Sequence, residues 1–321
     1  MIRAALLMEA HLVGFVFGEE ERRALEDELA VDFSSAATAV SALDDPAEIE
    51  LLLMGWGAEA PSAADFDAMP RLRAIVHWGG GFATADEAAR RGIALASAKA
   101  ANAVPVAEFT LAMITLAAKD VFWAARRYAS EQRFLDREAE YGHTGLGGAR
   151  VGIVGASAVG ELVIRGLRDR DIAVAVYDPT LSVQRAAVLD VELIDDLIAL
   201  AAGSRILSIH APQIPRTIGM VSAAVLAALP DGATVVNTAR GAIVDQDALV
   251  AELAAGRLRA VLDVTEPDPL PPGHPLFSLP NVFLTPHLAG SMGTELRTLG
   301  AVATAEALRF AHGEAFAYPI A

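Results

Sequence analysis

Three short segments carry the side chains best able to do chemistry: Asn237-Thr238-Ala239-Arg240-Gly241, Asp263-Val264-Thr265-Glu266-Pro267-Asp268-Pro269 and Thr285-Pro286-His287-Leu288-Ala289-Gly290. One supplies a guanidinium, one carboxylates and one an imidazole. The planar fork of an arginine matches a carboxylate through two hydrogen bonds, and a histidine exchanges its proton near neutral pH. Such a set can hold a substrate by its carboxylate and protonate a carbonyl oxygen while a hydride reaches the adjoining carbon. A carboxylate beside the imidazole would orient it and stabilise its protonated form. Asp268 and Glu266 are both open for that place. Taken singly, a histidine or an arginine after a strand is more often structural or a surface charge; the three together, each following an apolar run, are harder to read that way.

A hydride needs a carrier. Gly155-Ala156-Ser157-Ala158-Val159-Gly160 follows an apolar run and opens a helical pattern, the context of a G-x-G-x-x-G dinucleotide turn. Ser157 replaces the middle glycine and adds a hydroxymethyl group where backbone usually approaches a pyrophosphate. Asp178 lies 178 − 155 = 23 residues after Gly155, near the offset of about 20 at which an acid accepts from a ribose 2′-hydroxyl. Its charge repels a 2′-phosphate, and no Arg or Lys occurs among Pro179, Thr180, Leu181, Ser182 and Val183. NAD is therefore the expected cofactor, with NADP disfavoured. The plainer reading, a structural turn before Pro179, weakens once both features share one strand-helix-strand unit.

The chain resembles the D-isomer-specific 2-hydroxyacid dehydrogenase family, in its phosphoglycerate-dehydrogenase-like form, over nearly its whole length. The resemblance is carried by VGIVG into Gly155 and Gly160, Tyr177-Asp178-Pro179, Ser208-Ile209-His210-Ala211-Pro212, NTARGAIVD, the LDV before the acidic segment, and LTPHLAG. Residues 101–108, ANAVPVAE, resemble the family's entry into a domain-linking helix. The resemblance implies that Arg240 binds the substrate carboxylate and carbonyl and that His287 is the acid/base. It places the pairing acid five residues after Asp263, at Asp268, where the family usually has Glu; Glu266 competes. It further implies that Gly80 and Gly81 of the His77-Trp78-Gly79-Gly80-Gly81 turn offer N–H groups to the substrate, with Trp78 shaping the pocket or simply filling core.

For the cofactor, the resemblance implies contacts from Gly155, Ser157, Ala158, Val159, Gly160 and Asp178. It adds the loop residues His210, Ala211, Pro212 and Thr217, with His210 shaping the turn and doing no chemistry. Thr238, Ala239, Asp263, His287 and Gly290 complete the set. Ala158 departs from the family, which often has Arg or another polar residue facing the pyrophosphate there.

These residues need a scaffold whose strand ends converge. From Ala149 onward, Val- and Ile-rich runs alternate with helical segments, a βαβ rhythm. The strands predicted are 151–155, 173–177, 205–209, 234–237, 260–263 and 282–285, each almost wholly apolar as in a parallel sheet covered on both faces. Helices are predicted over 160–168, 194–202, 223–229 and 246–255. The first hundred residues show a looser α/β rhythm with strands at 4–7, 50–54, 74–76 and 93–96. One long helix is predicted from Pro105 to Tyr128, with proline in its first turn, then a loop over 129–148 and a final helix over 293–310.

The expected fold is α/β: two Rossmann-like domains with doubly wound parallel sheets. A flavodoxin-like substrate domain comprises 1–101 and 291–321, and an NAD-binding domain comprises 102–290. The chemistry would lie in the cleft between them. At 321 residues, two cores are the natural starting point.

Composition narrows the classes. A formal net charge of −16 disfavours nucleic acid and membrane surfaces as partners. No apolar stretch reaches the roughly 20 uninterrupted residues of a membrane span, and Glu9 and His11 break the apolar amino terminus. With no cysteine and scattered histidines, neither disulfides nor a metal site is expected. The expectation is a cytoplasmic, NAD-dependent 2-hydroxyacid dehydrogenase acting on a small 2-oxo/2-hydroxy acid pair, and a homodimer through the cofactor domain by analogy. At this length no appended regulatory domain is expected. A non-catalytic NAD-sensing regulator on the same fold is the rival; formate or phosphite oxidation is a second.

Overall fold

Short runs of branched apolar residues become parallel strands in both halves of the chain. The computed structural model describes residues 1–80, 84–170 and 172–320. It divides into two compact units, Met1–Ala103 with Ser291–Ala321, and Val104–Gly290. The first contains β1 (Ile2–Leu7), β2 (Leu29–Ala30), β3 (Leu51–Met54), β4 (Ala74–His77) and β5 (Ala94–Ser97) in the order β2-β1-β3-β4-β5. The pairings between these five strands are all parallel.

The second unit contains β6 (Arg150–Val154), β7 (Ala173–Tyr177), β8 (Glu192–Leu193), β9 (Ile206–Ile209), β10 (Thr234–Asn237), β11 (Arg259–Leu262) and β12 (Val282–Leu284). Their order is β12-β11-β10-β9-β6-β7-β8, again all parallel. The chain runs outward from β6 through β7 to β8, then returns to β9 on the other side and continues to β12. That reversal is a topological switch point, and in open α/β sheets ligands bind beyond the strand ends there.

Burial explains the strand composition. Val151, Ile153, Leu207, Ile209, Val235, Val236 and Val261 are fully buried because helices cover both faces of this sheet. In the first unit, the helix Leu296–Ala311 buries Leu296, Leu299, Ala303 and Ala307 against Leu6, Leu53 and Val76.

The predicted strands agree with the observed ones to within about two residues at each end. The two-residue edge strands β2 and β8 carry too little pattern to be read. The long helix expected over 105–128 is instead two, Lys99–Ala118 and Val121–Glu131. They are separated at Asp120, which takes the left-handed conformation with φ 55°. Its buried carboxylate meets the Arg259 guanidinium at the start of β11. Because the first of these helices begins at Lys99, Pro105 lies inside it rather than in its first turn. The predicted loop over 129–148 contains a further helical turn, Arg137–Tyr141, capped by Asp136.

The Lys99–Ala118 helix is long and apolar enough to cross a membrane. Its buried residues Ala107, Ile114, Ala117 and Ala118 pack with β6, β7 and β9 side chains, so about a third of it is core.

Candidate active site

The dinucleotide turn stands at the switch point. Gly155 follows β6 with φ 95°, a conformation that strains any L side chain, and a Cβ there would lie 2.7 Å from the Ala211 nitrogen. At Gly160 a Cβ would overlap the Gly155 carbonyl. Both glycines thus hold the turn flat against the His210-Ala211 segment after β9. Ser157 does not obstruct it: with φ −64° and ψ 179° it is the N-cap of the helix Ala158–Arg168, its Oγ accepting from Gly160 N. The first intrahelical bond runs from Glu161 N to Ser157 O, so the N–H groups of Ala158 and Val159 lie ahead of the ladder and suit a phosphate.

Asp178 ends the next strand. Its Oδ2 accepts from Ala156 N at 2.8 Å, and its Oδ1 accepts from Thr180 N at 2.8 Å and Thr180 Oγ1 at 2.7 Å. Burial alone would raise this carboxyl, but the Thr180 and Ala156 hydrogen bonds and the Arg216 charge outweigh it and hold the group below its ordinary range. Asp178, Ser157, Ala211, Pro212 and Thr217 all border one cavity of about 290 Å³. A flat glycine turn, free helix-start N–H groups and an ionised acid over a cavity are what a dinucleotide requires, so the residues present fit one.

Other residues expected to touch the cofactor have partners within the chain. Thr217 Oγ1 closes its own loop, donating to Pro212 O at 2.6 Å and accepting from Ile214 N at 2.9 Å. Thr238 Oγ1 meets Thr110 Oγ1 at 2.8 Å beneath the sheet edge, and Ala239 N donates to Asn237 Oδ1. His210 is buried, its Nε2 within 2.9 Å of Ser208 Oγ, and burial lowers its pKa to about 3. It is a neutral packing residue behind Gly160.

The three chemical segments follow β10, β11 and β12, neighbouring strands of one sheet edge. His287 Nδ1 lies 2.8 Å from Asp268 Oδ2. Glu266 turns elsewhere: its backbone N–H and carbonyl bond the Gln246 side chain at 2.9 and 2.6 Å, and its side chain is exposed. Asp263 corrects the sequence reading. Its carboxylate, 1% exposed, accepts from Thr285 Oγ1 at 2.5 Å, Leu288 N at 2.7 Å and Ala289 N at 2.9 Å. His287 N also donates to Asp263 O at 3.0 Å. Asp263 therefore has its carboxylate spent on fixing the loop that presents His287, which holds a left-handed φ of 57°. Gly290, half-buried, ends that loop.

Arg240 is exposed, its Nη1 donating to Ala239 O at 2.6 Å. Gly241 lies so close to Thr265 that any Cβ would overlap the Thr265 carbonyl. The arginine loop is thereby laid against the acidic segment.

The glycine turn of the first unit also departs from expectation. Trp78 is wholly buried, edge-on to Trp56 with centroids 5.0 Å apart, so it fills core. The N–H groups of Gly79 and Gly80 both donate to His77 Nδ1 at 3.0 Å, and Gly80 O accepts from Ser97 Oγ at 2.7 Å. The Gly80 amide expected to face a substrate thus faces a histidine. Gly81 lies outside the described residues. His77 is the residue that sequence reasoning missed here; its place two residues before a glycine run was the available signal. Burial lowers its pKa to about 4.

Comparison with known proteins gives the relationship. The profile described as D-isomer specific 2-hydroxyacid dehydrogenase, NAD binding domain, matches residues 111–289. A D-3-phosphoglycerate dehydrogenase of Mycobacterium leprae is 32% identical over 293 residues, 90% of this chain and 54% of that protein. A glyoxylate reductase of Korarchaeum cryptofilum is 33% identical over 283 residues, 86% of this chain and 80% of that protein. The chain spans about half the length of the curated phosphoglycerate dehydrogenases it matches. Among solved structures, a D-isomer specific 2-hydroxyacid dehydrogenase from Xanthobacter autotrophicus Py2, in complex with NADPH and MES, superposes with a TM-score of 0.76 at 27% identity, over 99% of this chain and 98% of that one. The profile covers more than half of the residues, and with these relatives beside it the chain belongs to the D-isomer specific 2-hydroxyacid dehydrogenase family.

Proposed function

We propose that this protein transfers a hydride between a nicotinamide dinucleotide and a small 2-oxo/2-hydroxy acid, with His287 as acid/base, Asp268 as its partner and Arg240 as the carboxylate anchor. The observation that carries this reading is the His287–Asp268 pair, 2.8 Å apart at the sheet edge that also bears Arg240. Since Asp268 accepts at Nδ1, the tautomer leaves Nε2 as the atom that exchanges a proton with substrate.

When bound, the dinucleotide supplies or takes up the hydride at the substrate's C2. Ala158 and Val159 N–H groups and Asp178 would hold it. In reduction, Arg240 exchanges its contact with Ala239 O for the substrate carboxylate, a bidentate match. His287 gives the Nε2 proton to the C2 oxygen, and Asp268 stabilises the imidazolium before transfer. Solvent then restores the proton to Nε2. NADH is expected to be used, because the ionised carboxylate that follows β7 accepts from a free ribose hydroxyl.

The reading extends to a cytoplasmic homodimer associating through the cofactor unit. Its support is the absence of cysteine and the exposure of Tyr128 and Phe134, at 61% and 83%, on the 121–148 segment. Light scattering on the purified chain tests the dimer.

The test of function is NADH and NADPH oxidation against a panel of 2-oxo acids, glyoxylate and hydroxypyruvate included, with His287→Ala and Arg240→Ala beside the wild type. Turnover that both substitutions abolish is expected. Tight NADH binding with no turnover of any acid would replace the enzyme by a dinucleotide-sensing regulator.

A further inference from the structure

The 290 Å³ cavity over the glycine turn has three walls: Gly155–Ser157, Tyr177–Thr180, and the loop from Ala211 to Met220. Two walls carry opposite charges. Asp178, on the second, is ionised and already accepts three hydrogen bonds from the chain itself. A ribose hydroxyl can still donate to it, since each carboxylate oxygen has lone pairs to spare. A 2′-phosphate would meet its negative charge.

Arg216 stands on the third wall, in the short 3-10 turn Pro215–Thr217. Thr217 pins that turn through Pro212 O and Ile214 N, so the arginine backbone is fixed. Its guanidinium is exposed and, among the described residues, makes no hydrogen bond or ion pair. Its charge nonetheless reaches Asp178. A fixed stem with an uncommitted planar cation, facing the carboxylate that reads the ribose, is suited to a phosphate monoester in the same place. Arg216 lies 216 − 178 = 38 residues beyond Asp178, outside the stretch a sequence search for a cation inspects, and only the β9 loop brings it there.

We infer that Arg216 recognises the 2′-phosphate of a phosphorylated dinucleotide, so that the pocket takes NADPH as well as NADH: Asp178 serves the free hydroxyl and Arg216 the phosphate. This rests on the proposed function only in requiring that the cavity hold the adenosine end of a dinucleotide.

Calorimetric titration with adenosine 5′-monophosphate and adenosine 2′,5′-bisphosphate isolates that end from catalysis. The wild-type chain is expected to bind both, the bisphosphate at least as tightly. Arg216→Gln should weaken the bisphosphate about 10-fold, the size of a charge-assisted contact, while the monophosphate moves less than about twofold. Added salt should erode the wild-type preference and leave the variant flat. Equal weakening of both probes, or no change in either, would overturn the role of Arg216 and leave the dinucleotide reading standing. A wild-type chain that binds neither probe would overturn both.

Discussion

Asp268 Oδ2 stands 2.8 Å from His287 Nδ1, with both side chains partly open to solvent, at 38% and 51% exposure. An acid one methylene shorter than the family's usual glutamate reaches the ring directly. Asp268→Asn keeps the shape and removes the charge that steadies an imidazolium. We expect kcat to fall about 100-fold, and His287→Ala to cost about 10²–10⁴-fold, with NADH affinity and thermal unfolding unchanged. Glu266→Gln should stay within about twofold of wild type. A larger loss at Glu266 than at Asp268 in the same steady-state assay would reverse the assignment.

Asp263 makes a different prediction. Its buried carboxylate is the sole acceptor identified for Leu288 N and Ala289 N among the described residues. Asp263→Ala strands those donors, and the cost should be about 2–5 kcal/mol in urea unfolding. Activity should disappear even where the variant remains folded, because the His287 loop loses its anchor.

Gly241→Ala tests the close approach of the arginine loop to the acidic segment. The new methyl group would collide with the Thr265 carbonyl, a backbone atom that cannot rotate away. Overpacking of this kind costs about 1–3 kcal/mol. Displacement of Arg240 should raise KM for the 2-oxo acid more than it lowers NADH affinity; an unchanged KM would count against the role given to Arg240.

His77 predicts a pH dependence of stability. Its folded pKa of about 4 lies below the ordinary 6.5 because burial disfavours the cation. Between those values the unfolded chain binds the extra proton, so stability rises with pH through the window. The contribution is complete above about pH 6.5 and is lost as pH falls toward 4, amounting to roughly 3 kcal/mol in full. His210, with a pKa of about 3, acts with the same sign. Urea unfolding of wild type and His77→Gln at pH 7, 6 and 5 should show the wild type losing more stability; parallel curves would disprove it.

The parallel strands were legible because a strand buried on both faces must be almost wholly apolar, as in residues 151–154 and 206–209. The placement of the Arg240, Asp268 and His287 segments at one sheet edge was legible because each segment begins where such a strand ends. What escaped were features made by individual side-chain contacts, which leave no periodic pattern in the sequence. Nothing around Asp120 marks a helix break, since its left-handed turn is tied to Arg259, 139 residues away. Asp263 looked like a ligand contact because its three hydrogen-bond partners belong to the next segment. Gly80 looked available because a backbone bond to a side chain three residues earlier leaves no periodicity. Arg216 was passed over because only the sheet order sets it opposite Asp178.

The helix Leu296–Ala311 covers a sheet whose strands all lie within the first hundred residues. During synthesis that sheet leaves the ribosome some two hundred residues before its cover, whereas the Val104–Gly290 unit emerges in one uninterrupted piece. The amino-terminal strands must therefore wait with part of one apolar face covered only by the Val13–Val16 and Glu19–Glu28 helices while the later unit is made. A nascent chain stalled before Leu296 should be the form most prone to aggregate.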